Sequence, residues 1–119
     1  MQYGRSKNNA EEQFHNDLCE VVGCIACRID GRDNYVCSIH HMKGRTKPGC
    51  QKFVLPLCAD HHQSGTGAIK ITIARHPDKK RFEAAYGPEI ELLQMCIAII
   101  NRYRELTGRA IWDDSYILA

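Results

Sequence analysis

The sequence has no hydrophobic run long enough to cross a membrane and no apolar segment at its start, where MQYGRSKNNAEEQ is polar throughout. A transmembrane helix needs about 20 mostly apolar residues, so a membrane span is excluded, and the polar start argues against a secretory signal. Internal repeats and low-complexity tracts are also absent, and 119 residues is the length of one domain. We therefore expect a single cytoplasmic domain over residues 1–119, with residues 1–8 flexible and residues 109–119 forming a docking tail.

The chain also has little net charge, because 16 Lys and Arg residues stand against 14 Asp and Glu residues, for a formal net charge of +2. The total charge therefore says little about partners, whereas its distribution says more. A disulfide framework is disfavoured as well, since seven cysteines is an odd number and no secretory signal opens the chain. Cysteines that ligate a metal in a reducing cytoplasm fit this composition better.

Two pairs of residues have the spacing of zinc-binding knuckles. Cys24 and Cys27 form CIAC, and Cys58 and His61 form CADH. Thiolate and imidazole groups suit zinc, and a closed set of four ligands is structural rather than catalytic. We therefore predict a structural Zn²⁺ on these four residues, with Cys50 as the alternative to His61 because its loop faces the same region. The other interpretation is that the cysteines are small buried hydrophobic residues.

The remaining pattern predicts an α+β fold. Apolar residues at helical spacing, together with capping residues, predict helices over residues 10–22, 78–86 and 88–106. Two short strands are expected over residues 36–42 and 53–57. The last helix carries an apolar stripe for the core, formed by Ile90, Leu93, Ile97, Ile100 and Tyr103.

His40 and His41 stand side by side on the first predicted strand, in SIHHM, between the two halves of the zinc site. Paired histidines in this position favour catalysis over a purely structural role. An imidazole has a pKa near neutrality and can take a proton from water, while a divalent cation can stabilise the leaving oxygen of a phosphodiester. Adjacent strand residues point to opposite faces, so one histidine could instead be buried and hydrogen-bonded. We interpret His15, on the first helix, in that second way.

The unit of strand, loop, strand and helix with paired histidines on its first strand resembles the HNH, or ββα-metal, nucleases over SIHHM, VLPLC and CADHH. The resemblance implies that His41 is the general base, and that His40 and His62 are ligands of a catalytic divalent ion, Mg²⁺ or Mn²⁺. Two positions differ from the pattern. Phe53 stands where the central Asn is expected, and Thr66 stands where a second helix His or Asn is expected.

Three ordered motifs, HHMKGRTKPGC, VLPLCADHHQSGTG and HPDKKRFEAAYG, are similar to the phage recombination-enhancement nucleases, variant HNH enzymes that cut DNA with the host recombinase RecA. The resemblance covers most of the chain, from about residue 14 to residue 93. It implies that His76 completes the active site with His40, His41 and His62. It also implies a zinc-stapled HNH core with additional N- and C-terminal helices, in a protein of the bacterial cytoplasm encoded by a phage or prophage.

Basic residues adjoin these histidines in the sequence. Those between the two predicted strands are Lys43, Arg45, Lys47 and Lys52, and those flanking His76 are Lys70, Arg75, Lys79, Lys80 and Arg81. A basic cleft around the scissile phosphate is therefore our hypothesis, and solvated surface charges are the alternative. Contacts to phosphates carry little sequence information, so we expect sequence-tolerant and salt-sensitive binding of single- or double-stranded DNA.

From these features we predict a metal-dependent DNA endonuclease that hydrolyses phosphodiester bonds with His41 as the general base, acting on DNA bound by RecA. The leading alternative is a zinc-stabilised DNA- or protein-binding module without catalysis, which would be consistent with Phe53 in place of Asn. A third interpretation is a thiol redox protein that uses CIAC, in which Cys58 and His61 would have no purpose.

Overall fold

The computed structural model describes residues 7–63, 73–76 and 78–113 of the chain. The elements in chain order are α1 (Asn9–Asp17), α2 (Ile25–Ile29), β1 (Ser38–His41), β2 (Val54–Leu57), α3 (Ala59–His62), α4 (Lys79–Tyr86) and α5 (Glu89–Leu106). This is an α+β architecture, as predicted. Residues 1–6 of the expected flexible start, residues 114–119 of the expected docking tail, Thr66 and Lys70 lie outside the described residues. No helix in the described ranges is long and apolar enough to cross a membrane.

The first helix begins with a capping box. The Asn8 side chain accepts a hydrogen bond from the backbone N–H of Glu11 at 2.8 Å, and the Glu11 carboxylate accepts one from the backbone N–H of Asn8 at 3.0 Å. α1 continues into a π-helical turn over Leu18–Val22 that ends at Gly23. Gly23 has φ +72°, and a Cβ there would lie 2.7 Å from the carbonyl oxygen of Asn34, so only glycine fits. The helix predicted over residues 10–22 is therefore present.

The two strands form an antiparallel pair that carries the paired histidines. His40 lies opposite Leu55 and His41 lies opposite Val54. β1 is shorter than the predicted 36–42, whereas all four residues of β2 are buried. Because β2 runs directly into Cys58 and α3, the sheet brings His40 of β1 next to His62 of α3.

The core lies between the helices and β2. Its larger apolar residues are Phe14, Leu18, Val22, Ile25, Val54, Leu55, Leu57, Phe82, Leu92, Leu93 and Ile100. The stripe predicted for α5 was wrong at both ends, since Ile90 is 46% exposed and Tyr103 is 43% exposed. The helix is rotated relative to that prediction because Glu89, its first residue, turns inward to an ion-pair cluster. That rotation brings Leu92 and Cys96 into the core.

The described part of the C-terminal segment contacts α1 and α5 through Trp112. Its ring lies 5.4 Å from the ring of Phe14, and its indole N–H donates to Asp17 at 2.9 Å. Arg104 donates to the same carboxylate at 2.7 Å, and Asn101 forms two 2.8 Å hydrogen bonds with the backbone of Trp112. Asp17 therefore joins α1 to α5 and to the segment that follows α5.

Candidate active site and metal centre

Four buried residues bring potential zinc ligands together. Nδ1 of His61 lies 3.3 Å from Sγ of Cys58, 3.4 Å from Sγ of Cys27 and 3.5 Å from Sγ of Cys24. The sulfurs of Cys27 and Cys58 are 3.7 Å apart. Ligand atoms of a tetrahedral zinc ion, with bonds of about 2.3 Å to sulfur and about 2.0 Å to nitrogen, lie roughly 3.5–3.8 Å from one another. Both the donor set and the spacing therefore fit a zinc ion.

Outer contacts orient the histidine of this group. The hydroxyl of Tyr86 accepts a hydrogen bond from Nε2 of His61 at 2.9 Å and donates to Asp30 at 2.8 Å. With its proton on Nε2, His61 directs the lone pair of Nδ1 toward the three sulfurs. Burial raises the pKa of Cys24 and of Cys58, so a cation binding here displaces protons from the thiols.

The other predicted ligand, Cys50, is buried in the loop between β1 and β2 and does not belong to this four-residue group. All seven cysteines lie in the described residues, and each is free of a disulfide bond. The structure therefore brings His61, rather than Cys50, to the other three sequence-predicted ligands. The cysteines of CIAC face Cys58 and His61, an arrangement that a thiol redox site has no need for.

Three further histidines form a second group. The ligand atoms of His40, His62 and His76 all lie within 4.8 Å of one another. His76 reaches this position because its segment pairs with the end of α3: its backbone N–H donates to the carbonyl of His62 at 2.9 Å, and that of Arg75 donates to the carbonyl of His61 at 2.7 Å. The late histidine and the helix histidine are therefore held side by side by the backbone.

The surroundings of two histidines in this cluster, His62 and His76, favour neutral imidazoles. Burial, together with the positive charges of His40, His76 and Arg75, lowers the pKa of His62 to about 4. Burial and the charge of Arg75 also lower the pKa of His76. A neutral imidazole keeps a lone pair, which is the state that binds a metal ion.

A buried carboxylate lies behind the cluster. Glu89 is 4% exposed, and its Oε2 accepts hydrogen bonds from Nε2 of His40 at 2.8 Å and from Nε of Arg75 at 3.0 Å. Nζ of Lys79 lies 3.8 Å from Oε1 of Glu89, and the backbone N–H of Glu89 donates to the Glu83 carboxylate at 2.8 Å. Burial by itself raises the pKa of Glu89, but the hydrogen bond from His40 and the charge of Arg75 outweigh it and lower that pKa. In the neutral imidazole of His40, the proton is thus on Nε2 and the lone pair on Nδ1.

His41 points to a different set of partners. Its Nε2 donates to the side-chain oxygen of Gln51 at 2.9 Å, and Nε2 of His15 donates to the backbone carbonyl of Gln51 at 2.7 Å. Gln51 is 6% exposed, and His15 is buried and hydrogen-bonded, as predicted. Burial lowers the pKa of His41. At neutral pH its Nδ1 is therefore an unprotonated base whose ring is held by a buried amide.

All four histidines of the predicted active site line one cleft of about 310 Å³, together with Arg45 and Arg75. Of the other basic residues predicted to bind DNA, Lys43 and Lys79 line a neighbouring groove. Lys47, Lys80 and Arg81 are exposed, and Lys52 is half-buried. The cleft therefore combines a base, a possible metal site and two guanidinium groups.

Two residues of this site, Gln51 and Glu89, were missed by sequence reasoning. Gln51 lies in a loop between the strands, where a polar side chain is unremarkable. Glu89 follows Pro88 at the start of a helix, where an acidic residue is favourable whatever else it contacts. The sequence offered only an indirect signal for Gln51. Phe53, two residues downstream, stands where the HNH pattern has the Asn that orients the base, so another residue had to take that role.

A comparison with protein families agrees with this geometry. The model of the family described as "Recombination enhancement, RecA-dependent nuclease" matches residues 8–101. The match spans both the cysteine–histidine group and the histidine cleft, and the family description names a nuclease role that depends on RecA. The chain, matched over more than three quarters of its length, belongs to the family of recombination-enhancement, RecA-dependent nucleases.

Proposed function

We propose that the protein is a metal-dependent DNA endonuclease that hydrolyses phosphodiester bonds, with His41 as the general base, in DNA bound by RecA. The single observation that supports this most is the cleft in which His41 meets the cluster of His40, His62 and His76. Hydrolysis of a phosphodiester needs a base for water and positive charge for the leaving oxygen. One cleft offers residues for both tasks.

His41 is suited to the first task. The hydrogen bond from its Nε2 to Gln51 leaves Nδ1 free to accept a proton from water. Its lowered pKa keeps it unprotonated at neutral pH. Gln51 fixes the ring without competing for that proton, because its side-chain oxygen is only an acceptor.

His40, His62 and His76 would hold the catalytic divalent ion. Such an ion, when bound, supplies positive charge that stabilises the leaving oxygen. Three imidazoles suit a transition ion, whereas Mg²⁺ prefers oxygen ligands. Of the two ions predicted, Mn²⁺ is therefore the better match. Glu89 acts through His40 as a positioning residue, since it fixes the ring and its proton.

Cys24, Cys27, Cys58 and His61 would hold a structural Zn²⁺. Four protein ligands complete a tetrahedron and leave no open position for substrate, which is the property of a structural site. The ion would join the start of α2 to the start of α3. It would thereby hold the helix turn from which His62 enters the catalytic cleft.

We further propose that the site is a variant of the HNH class. β1, β2 and α3 follow one another in the expected order, with the histidine pair on β1 and His62 on α3. Gln51 would orient the base in place of the Asn that the HNH pattern has at the position of Phe53. It would do so from two residues earlier in the loop. Thr66 lies outside the described residues, and His76 supplies a further histidine.

The basic residues near the cleft would bind DNA phosphates. Arg45 and Arg75 line the cleft itself, and Lys43 and Lys79 line the groove beside it. The exposed Lys47, Lys80 and Arg81 and the half-buried Lys52 would add more distant contacts. Contacts of this kind fix the position of the backbone and read no sequence.

The test is cleavage of circular single- and double-stranded DNA with Mn²⁺ or Mg²⁺, with and without RecA and ATP. We expect cutting that requires RecA, is faster with Mn²⁺, and falls by about 100-fold or more in His41→Ala. Ser38→Ala, an exposed position on the same strand, is the matched control. A folded His41→Ala protein that cuts like the parent would show that the general base is wrong. Absence of cutting by the parent under every condition would favour the binding module.

A further inference from the structure

A second groove lies beside the histidine cleft. Its volume is about 360 Å³, and its walls include Met42, Lys43, Phe53, Lys79, Pro88 and Ile90. Resting on the proposed nuclease function, we propose that this groove binds an unpaired nucleobase of the DNA strand, next to the phosphate in the cleft. The protein would then act on a strand that is single-stranded or locally unpaired.

The position of the groove supports a role for the neighbouring nucleotide. Met42 lines both the groove and the histidine cleft. Glu89 also lines the groove, while its carboxylate is hydrogen-bonded to His40 at 2.8 Å. The two cavities are therefore separated by a single layer of side chains. A nucleotide attached to a phosphate in the cleft is covalently tethered to this position.

The chemistry of the walls suits a nucleobase. Phe53 is half-buried and presents its ring to the groove, and Pro88 and Ile90 add apolar surface. The ammonium group of Lys43 lies 4.0 Å from the centre of the Phe53 ring. Its flexible side chain can yield that ring face to a base and move to the adjoining phosphate. Aromatic side chains bind unpaired bases by stacking, whatever the sequence.

The charges of the groove are compatible with a nucleotide. Lys43 and Lys79 provide two cations, and the Lys79 side chain is 53% exposed, so it can turn from its 3.8 Å contact with Glu89 toward a backbone phosphate. The groove has two acids, Glu83 and Glu89. Glu89 is engaged by His40 and Arg75, and Glu83 accepts the backbone N–H of Glu89. The volume lies at the lower end of the range for pockets that hold small organic molecules.

A base can enter this groove only after leaving its stack. In a duplex that step costs the stacking and pairing of the base, and the cost is smallest for an unpaired strand. The groove therefore predicts a preference for unpaired DNA without a preference for a particular base.

The decisive experiment measures binding separately from cleavage. A short single-stranded oligothymidylate and an oligomer of the same length with abasic nucleotides throughout are titrated by fluorescence anisotropy at low salt. The cutting-deficient His41→Ala protein serves as the background. We expect the oligomer with bases to bind about tenfold more tightly, which is the effect of one base–aromatic stack. Phe53→Leu should remove most of that difference, whereas Tyr103→Leu, an exposed aromatic on α5, should preserve it.

A second variant covers the case in which Phe53→Leu does not fold. Ile90→Trp changes an exposed residue at the start of α5 and fills the groove from its rim. It should also abolish the tenfold difference, whereas Met95→Trp, exposed on the same helix, should not. Equal binding of the two oligomers by the His41→Ala background would overturn the inference. If the two oligomers bind differently but the parent protein cuts no DNA, the proposed nuclease function would be wrong and the base-binding groove would still be supported.

Discussion

The buried residue Gln51 holds the ring of a neighbouring histidine in a fixed orientation. Its backbone carbonyl is bound by His15 from α1, and its side-chain oxygen binds His41 on β1. The bond from His15 is buried and the bond from His41 is partly buried, so water does not replace either of them easily. The amide therefore links the first helix to the proposed general base.

Replacing Gln51 with Met tests this positioning. Met is similar in length but cannot accept the proton of Nε2, so the His41 ring loses its fixed orientation. We expect the cleavage rate to fall by roughly tenfold to 100-fold, a fraction of the full contribution of a general base. DNA affinity and zinc content should stay as in the parent. Gln94→Met, exposed on α5, is the control. Equal rates in parent and Gln51→Met would exclude the amide as the orienting group.

Glu89 is the second residue that acts through a histidine. It contacts His40, Arg75 and Lys79 and places a negative charge directly against one histidine of the three-histidine cluster. A carboxylate behind a ligating imidazole raises the basicity of the ligand and fixes its ring. Replacing Glu89 should therefore lower the affinity for the metal ion more than it lowers the rate of the chemical step.

For Glu89→Gln we expect the Mn²⁺ concentration for half-maximal cleavage to rise by about tenfold, because outer partners of metal ligands contribute to affinity on that scale. The maximal rate should largely recover at saturating Mn²⁺. The control is Glu91→Gln, which removes an exposed charge two residues along the same helix. An unchanged Mn²⁺ requirement, with a lowered maximal rate, would argue that Glu89 does not act through the ion.

These two residues also show where sequence reasoning stops. His40, His41, His62 and His76 could be named in advance because their residue type and spacing carry the chemistry. Gln51 and Glu89 could not, because an amide in a loop and an acid at a helix start are common and their partners lie 10 and 49 residues away in the chain. Tertiary structure alone brings such pairs together.

At the scale of elements, α3 is a short helix that contributes to both groups of potential metal ligands. Its His61 faces the three cysteines, and its His62 faces the catalytic cleft. Four residues make only one helical turn, too short to be stable alone. α3 must therefore be held by what it binds, and the zinc group is the strongest candidate.

Loss of the structural ion should consequently abolish both folding and cutting. Structural zinc contributes on the order of 10 kcal/mol, which is comparable to the whole stability of a domain. We expect Cys27→Ala to lose its zinc, to unfold by circular dichroism and to lose cleavage. Cys96→Ala removes a buried cysteine outside the zinc group, and it should keep its zinc with a loss of only about 1 kcal/mol. A folded, active Cys27→Ala protein without zinc would contradict the structural role.

Elements were predicted better than their orientations. The three predicted helices and the two predicted strands appear within a few residues of where capping residues and apolar periodicity indicated, whereas α2 was not predicted. α5 has apolar residues on several of its faces, so its sequence fits more than one orientation. In the observed orientation Leu92 is buried in place of Ile90 and Glu89 is bonded to His40, a contact that the pattern did not reveal.

At the scale of the whole molecule, the charge is nearly balanced. The chain carries 16 basic and 14 acidic residues. The basic residues proposed to lie closest to the DNA line the histidine cleft and the groove beside it. A protein that neutralises few phosphates has weak, salt-dependent affinity of its own. The family description names dependence on RecA. Such dependence would compensate for weak DNA binding by the protein itself, because the RecA filament would hold DNA at a high local concentration.

The last prediction follows from that balance. Without RecA, DNA affinity should be weak and fall with salt, with a slope of about −0.7 to −0.9 in log–log terms for each phosphate contacted. Arg45→Gln, which removes a guanidinium from the cleft, should reduce that slope by about one contact, whereas Arg102→Gln, exposed on α5, should leave it unchanged. The slope is measured by fluorescence anisotropy over a salt series, and cleavage is measured in parallel with and without RecA. With RecA present, Arg45→Gln should still slow cutting, because we propose that Arg45, which lines the cleft, binds the phosphate there rather than recruiting the filament. If RecA restored Arg45→Gln to the parent rate, Arg45 would serve only general attraction to DNA, and the cleft would have to hold the scissile phosphate through Arg75 and the metal ligands.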